Sequence, residues 1–137
     1  MFEFFEHPSD IGIKGAGSSY EEAFIEAAKG MMSIMADLRC FTTEFETDVE
    51  VRGLDREFLF INFLNRILLE YSLHKAIWTD MEILQFSENH LMARLKGEKL
   101  KGIHKSELKV EVKAATLCEL KVYEENGSYI AQCVLDI

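Results

Sequence analysis

Hydrophobic and polar positions along the chain follow two rhythms, a period of two and a period near 3.6, and these divide it into strands and helices. Phe2 to Phe5 is a short aromatic strand that stops at His7-Pro8-Ser9-Asp10, where the proline and small polar residues predict a turn. A second strand follows over Ile11 to Ala16, with Ile11, Ile13 and Gly15 on one face and Asp10, Gly12 and Lys14 on the other. From Tyr20 the spacing changes. Tyr20, Ala23, Phe24, Ala27, Ala28, Met31, Ile34 and Met35 recur at three- and four-residue steps, the stripe of a core-facing helix. Ser18 and Ser19 stand ahead of Glu21 and Glu22 at capping-box spacing, so the helix starts near Tyr20. It should end around Ala36 to Leu38. Asp37 then lies at the negative end of the helix dipole, where a carboxylate costs ~0.3–1 kcal/mol unless a cation is near.

Alternation resumes from Phe41 to Arg52, where Phe45, Thr47, Val49 and Val51 face one way and Glu44, Glu46, Asp48, Glu50 and Arg52 the other. That row of acids reads as a solvated strand face. A second helix, Arg56 to Leu73, is apolar nearly all round, and its interrupting charges Arg56, Glu57, Arg66 and Glu70 argue for a buried core helix over a membrane span. Ile77 to Phe86 and His90 to Glu98 form a predicted hairpin through Ser87-Glu88-Asn89. Gly97 to Lys109, rich in Lys and Gly, reads as a loop and as the most mobile part, and Lys109 to Thr116 as a further strand.

Asn126-Gly127 is a strong hairpin signal, since both residues tolerate the positive φ of a type I′ turn. Its register pairs Glu125 with Ser128, Val122 with Ala131, Leu120 with Cys133 and Leu117 with Asp136. Cys118, Leu120, Val122, Tyr129, Ala131, Cys133 and Leu135 then share a core face. Glu119, Lys121, Tyr123, Ile130, Gln132, Val134 and Asp136 share a more polar one. The expected fold is α+β, two helices packed on a mostly antiparallel or mixed β-sheet, in one domain spanning residues 1–137.

The formal net charge of −9, from 24 acidic and 15 basic residues, changes the functional picture more than the fold. With no basic stripe to neutralise phosphates, direct nucleic-acid binding is disfavoured, and a cation or a basic partner is the natural ligand. Cys40, Cys118 and Cys133 are odd in number and lack metal-ligand spacing, so they read as reduced packing residues. A Cys118–Cys133 disulfide is conceivable from the hairpin register. The amino-terminal residues lack the basic and long apolar regions of a signal peptide, which points to an intracellular, cytoplasmic protein.

No phosphate loop or nucleophile elbow is present, and His7, His74, His90 and His104 are too scattered to imply zinc. The remaining candidates are carboxylates: Asp10 at a strand start, Asp37 at a helix end, and Asp136 beside the free carboxylate of Ile137. Each alone reads as a turn, cap or solvated residue. Should they meet, an all-oxygen set favours Mg²⁺, Ca²⁺ or Mn²⁺ over zinc.

Several segments also resemble one family. His7-Pro8-Ser9-Asp10-Ile11-Gly12 is similar to the H-T-A-D-x-G opening of archease, and Ala36-Asp37-Leu38 to its T-D-L step. Gly97-Glu98, His104 and Glu111 to Thr116 resemble its G-E…H…E-V-K-A-x-T block, and Val134 to Ile137 its F-D-I ending. Pro8-Ser9 stand in place of Thr-Ala, and Leu117-Cys118 in place of the usual Tyr-His, for which no role is assigned. The resemblance implies a non-enzymatic activator of the GTP-dependent tRNA-splicing RNA ligase, one that promotes guanylylation of the ligase histidine and restores multiple turnover. It also implies metal ligation by Asp10, Asp37 and Asp136, with the Ile137 carboxylate as an extra ligand. Two other readings of the same acids stay open, a metal-dependent phosphoester hydrolase and a chaperone-like binding module.

Overall fold

The computed structural model describes all 137 residues. In chain order the elements are β1 (Phe2–His7), β2 (Asp10–Gly17), α1 (Tyr20–Met35), β3 (Phe45–Arg52), α2 (Arg56–His74), β4 (Ala76–Phe86), β5 (His90–Lys99), β6 (Ala114–Ala115), β7 (Lys121–Glu125) and β8 (Ser128–Asp136). Short 3₁₀ turns lie at Leu38–Cys40 and Gly102–Glu107. The α+β class and both helices are as the periodicity predicts. The strands are divided over two sheets, one ordered β1-β2-β8-β6 with β7 also on β8, the other β3-β5-β4. Every pairing is antiparallel.

Local chemistry sets the helix limits. Ser19 caps α1 by accepting the Glu22 N–H at 3.1 Å, and the Glu22 carboxylate reaches back to the Ser18 N–H and hydroxyl at 3.2 and 2.7 Å. Ala36 turns extended and ends the helix. Asp55 caps α2 by accepting the Phe58 N–H at 2.9 Å, and Lys75 closes it in the left-handed region at φ 51°. Both helices pack on strands of both sheets, so one core of 32 buried residues joins the two layers. Phe24 of α1 meets Phe60 and Phe63 of α2 and Phe86 of β4 at ring separations of 5.0, 6.2 and 5.3 Å. Such pairs contribute ~0.5–1.5 kcal/mol each beyond burial. Gly15 lets β2 approach α1, because a side chain there would strike the Ala23 carbonyl and the Ala27 backbone.

Three expectations need correction. First, residues 109–116 form a strand only at Ala114–Ala115. Upstream, the Lys109 and Val110 N–H groups donate to the Met35 and Ile34 carbonyls at 2.8 and 3.2 Å, occupying the open end of α1 instead of a strand neighbour. The outer edge of β6 is paired by a side chain, since the Asn65 amide bonds both the N–H and the C=O of Ala115 at 2.9 and 3.1 Å.

Second, the expected loop 97–109 is partly ordered, with β5 continuing to Lys99 and a buried His104 in the 3₁₀ turn. Third, the final hairpin keeps its predicted register from Glu125–Ser128 through Val122–Ala131 but stops at Lys121–Gln132. Leu120 and Leu117 therefore do not pair with Cys133 and Asp136. Glu119 takes a φ of 56° and the Leu120 N–H turns back to the Leu117 carbonyl at 3.2 Å, which breaks the ladder. Asp136 pairs with Ala114 instead.

The two faces of β8 also differ less than the alternation suggests. Ile130 and Val134, expected on the polar face, are 7% and 1% exposed, because β8 is a central strand covered on both sides. Cys118, expected in the core, is exposed, whereas Cys133 is buried, and all three cysteines are free thiols.

Candidate functional site

The candidate carboxylates lie where the first sheet ends. β1 and β2 are joined through Pro8-Ser9, with Ser9 at φ 64°, and His7 pairs directly with Asp10. β2 runs antiparallel to β8 with Ile11 opposite Leu135 and Gly12 opposite Val134. That ladder ends at Ile11–Leu135, and Asp10 and Asp136 are the residues just beyond it, Asp10 paired with His7 and Asp136 with Ala114, so both lie at the same end of the first sheet. Both belong to the row of Gly12 and Val134, whereas Ile13 and Cys133 of the alternate row are in the core.

Like charges gathered at one edge are destabilising unless something neutralises them. Asp10 has only His7, with Nδ1 3.7 Å from Oδ2. Asp136 has no Lys, Arg or His within ion-pair distance. Its side chain is exposed and its strand is held by the Lys113 N–H, which donates to the Asp136 carbonyl at 2.8 Å. Ile137 follows directly.

Asp37 lies just past the end of α1, as the periodicity predicts. It is not unpaired there, because Arg39 binds it through two bonds, Nε to Oδ1 at 3.0 Å and Nη2 to Oδ2 at 2.9 Å. The Arg39 N–H adds a third at 3.2 Å. These bonds hold the Asp37 carboxyl down at about 2. The cation that the helix dipole calls for is thus the guanidinium two residues on. Asp37 N–H donates to the Glu107 carbonyl at 3.0 Å, and Ala36 bridges to Leu108, so segment 107–110 fixes this corner. Ile34, in the last turn of α1, shares a cleft of about 320 Å³ with Phe4, Phe5, Glu6, Asp10 and Ile11, which sets the helix end beside Asp10.

The structure thus brings Asp10 and Asp136 to one end of the first sheet and leaves Asp37 on Arg39. No three His, Cys, Asp or Glu side chains are gathered closely enough to hold a metal ion as they stand. The donor chemistry of the predicted set is carboxylate oxygen throughout, and the two acids at this sheet end, of which only Asp10 has a basic neighbour, are the feature that suits a hard cation.

Residues 2–137 match the model of the archease protein family (MTH1598/TM1083). The chain belongs to the archease family. Protein archease of Pyrococcus abyssi is 36% identical over 140 residues, covering 99% of this chain and 98% of that protein. The protein archease of Sulfolobus acidocaldarius is 32% identical, with 99% and 98% covered. The solution structure of Methanobacterium thermoautotrophicum protein 1598 superposes with a TM-score of 0.82 at 29% identity, covering 99% of this chain and 98% of that one. The crystal structure of a Thermotoga maritima archease, described as a possible chaperone, shares the fold at a TM-score of 0.65 and 22% identity, covering 97% and 94%.

Two archease features look different once placed. The G-E…H block is a clasp: Gly97 admits the Ile77 carbonyl where a side chain would stand, Glu98 accepts the Thr42 N–H at 2.8 Å, and His104 Nε2 lies 3.5 Å from Glu98. The Leu117-Cys118 departure puts the exposed Cys118 Sγ 3.4 Å from His7 Nε2, on the other side of the imidazole from Asp10. Sequence spacing carried no signal for that contact, because residues 111 positions apart meet only through the β1–β2–β8 pairing.

Proposed function

We propose that this archease acts as a protein cofactor, not an enzyme, for a GTP-dependent tRNA-splicing RNA ligase, promoting guanylylation of the ligase histidine and multiple turnover. Asp10, Asp37, Asp136 and the terminal carboxylate of Ile137 would hold one hard divalent cation, Ca²⁺, Mg²⁺ or Mn²⁺. Such a cation supplies positive charge next to nucleotide phosphates. The single observation supporting this reading is that Asp10 and Asp136 share one end of the first sheet, just beyond the last β2–β8 pair, with no basic side chain on Asp136. The rest of the chain serves as a one-domain scaffold for that rim, in the cytoplasm with its ligase.

What the chain's own residues do follows from their placement. β2 and β8 bring Asp10 and Asp136 to one sheet end, where the pairings with His7 and Ala114 fix their backbone. Asp37 would exchange Arg39 for the cation when the site loads, the guanidinium occupying its two oxygens until then. With a net charge of −9 the chain leaves the RNA to the ligase, and its acidic rim suits a basic active-site mouth. The apolar walls of the adjoining cleft, Phe4, Phe5, Ile11 and Ile34, give that mouth an anchoring surface.

The test is turnover of the cognate ligase with GTP and Mg²⁺ or Mn²⁺, with and without this protein. The proposal expects single-turnover ligase to become multiple-turnover; no change in turnover would reject it. A chaperone-like binding role draws on the same apolar cleft and predicts effects on partner proteins that EDTA leaves intact. Metal-dependent hydrolysis of a nucleotide or RNA by the isolated chain would establish the hydrolase reading instead.

A further inference from the structure

Residues 100–113 connect β5 to β6 and carry the backbone that pins the end of α1, through the Asp37, Lys109 and Val110 N–H bonds described above. What orders this connection is a side-chain cluster some way from the carboxylates. His104 is 6% exposed, and its ring lies 4.6 Å from that of Phe41. The Lys101 N–H donates to His104 Nδ1 at 3.1 Å, which places the ring proton on Nε2, facing Glu98 Oε2 at 3.5 Å. Glu98 in turn accepts the Thr42 N–H at 2.8 Å and faces Lys101 Nζ at 3.5 Å. Its carboxyl is held below the usual range, first by the Thr42 N–H bond.

The clasp therefore grips both segments that meet at Asp37. Phe41 and Thr42 follow the 3₁₀ turn that Asp37 starts, and Lys101 to Glu107 precede the carbonyl that receives the Asp37 N–H. We infer that His104, with Glu98, is a positioning residue for the Asp37 carboxylate, setting through residues 101–110 where that ligand stands relative to Asp10 and Asp136. The inference rests on the cation reading for its functional consequence, but its geometric part stands alone. His104 makes no bond to Asp37 itself and acts on it through the backbone of residues 101–110, so its loss should cost less metal affinity than the about 10–100-fold lost with a partner bonded directly to a ligand.

The experiment compares wild type with His104→Ala, His104→Asn and Glu98→Gln. Two quantities are read: Mn²⁺ affinity by calorimetry, and amide hydrogen exchange at Asp37 and Lys109 at a temperature well below each melting point. His104→Ala should weaken Mn²⁺ binding by a few-fold and speed both amides by a similar factor. His104→Asn, whose amide oxygen can take the Lys101 N–H, should recover part of both. Faster exchange with unchanged affinity would reduce His104 to a purely structural role, and unchanged exchange would overturn the inference outright. If wild type binds no Mn²⁺, the cation reading fails, and the Asp37 exchange rate alone decides whether His104 positions that corner. Should His104→Ala not fold, Glu98→Gln carries the same comparison.

Discussion

The two sheets carry similar numbers of acids on their exposed surfaces but treat them differently. On the β3-β5-β4 sheet the acids have basic partners, most of them across the ladder, with Asp80 met by Lys29 of α1 and Glu98 by Lys101. Asp48 bonds Arg94 at 2.9 and 3.2 Å, Glu50 meets His90 at 2.8 Å, and Glu82 faces Lys96 at 3.8 Å. These pairs follow the strand register, in which Asp48 and Glu82 both lie opposite Arg94 and Glu50 beside it opposite Met92. At the end of the other sheet Asp10 and Asp136 come to the same edge, and Asp136 has no base within reach. Paired acids solvate a surface and contribute little, whereas acids gathered at one edge without bases repel, which a bound cation or basic partner would offset. The row of acids that looks most conspicuous in the sequence, Glu44 to Glu50, is the uninformative one.

The sharpest way to break this contrast is to neutralise one acid from each sheet. Asp136→Asn, or deletion of Asp136-Ile137, should abolish ligase activation while leaving the melting temperature in EDTA nearly unchanged, because Asp136 is exposed and its backbone bonds do not need the carboxylate. A large loss of metal-free stability would mark the terminus as structural instead. Next in size is the effect of freeing Asp37. Arg39→Ala should tighten Mn²⁺ binding by a few-fold. It should also move the Asp37 titration, followed by carboxyl NMR shifts, from about 2 back toward the ordinary 3.8. The sign follows from linkage: a depressed carboxyl stabilises the fold above its unfolded value and loses that as pH falls toward 2, so the variant should shed less stability in acid.

A smaller effect concerns the core beneath the site. Burial pushes the Cys133 thiol up to about 12, so the folded state keeps its proton where the unfolded state, near 9, loses it. Stability should therefore fall as pH rises from about 9 to about 12, and Cys133→Ala should flatten that slope in alkaline urea melts. In the native protein Cys133 should resist alkylation that modifies the exposed Cys118. Smallest of all, Asp48→Asn on the second sheet should shift the melting temperature by no more than about 3 °C and leave activation untouched.

Much of this geometry is legible in the residues. The apolar stripe of α1, the Ser19–Glu22 cap, the all-round apolar α2 and the Asn126-Gly127 turn each specify a local element that the chain adopts. Because Asp10 begins one strand and Asp136 ends another, their shared location needed only the knowledge that β2 and β8 pair. That pairing is a tertiary fact, joining residues over 100 positions apart, and periodicity is silent on it. The misjudged places share one cause. At residues 109–113 the backbone serves a helix end, and at 117–120 a positive φ at Glu119 redirects it, so side-chain alternation persists where ladder bonding does not. His104 was hidden differently, since its partners Phe41, Glu98 and Lys101 are brought to it from three elements.

The carboxylates at this sheet end are tested most directly by titrating the apo-protein with Mn²⁺, Mg²⁺ and Ca²⁺ in a calorimeter, beside the chain lacking Asp136 and Ile137. The cation reading predicts one site in the 137-residue chain, absent from the truncated one with its fold intact. A 137-residue chain that binds none of the three ions, or a truncated chain that binds them equally well, would contradict it.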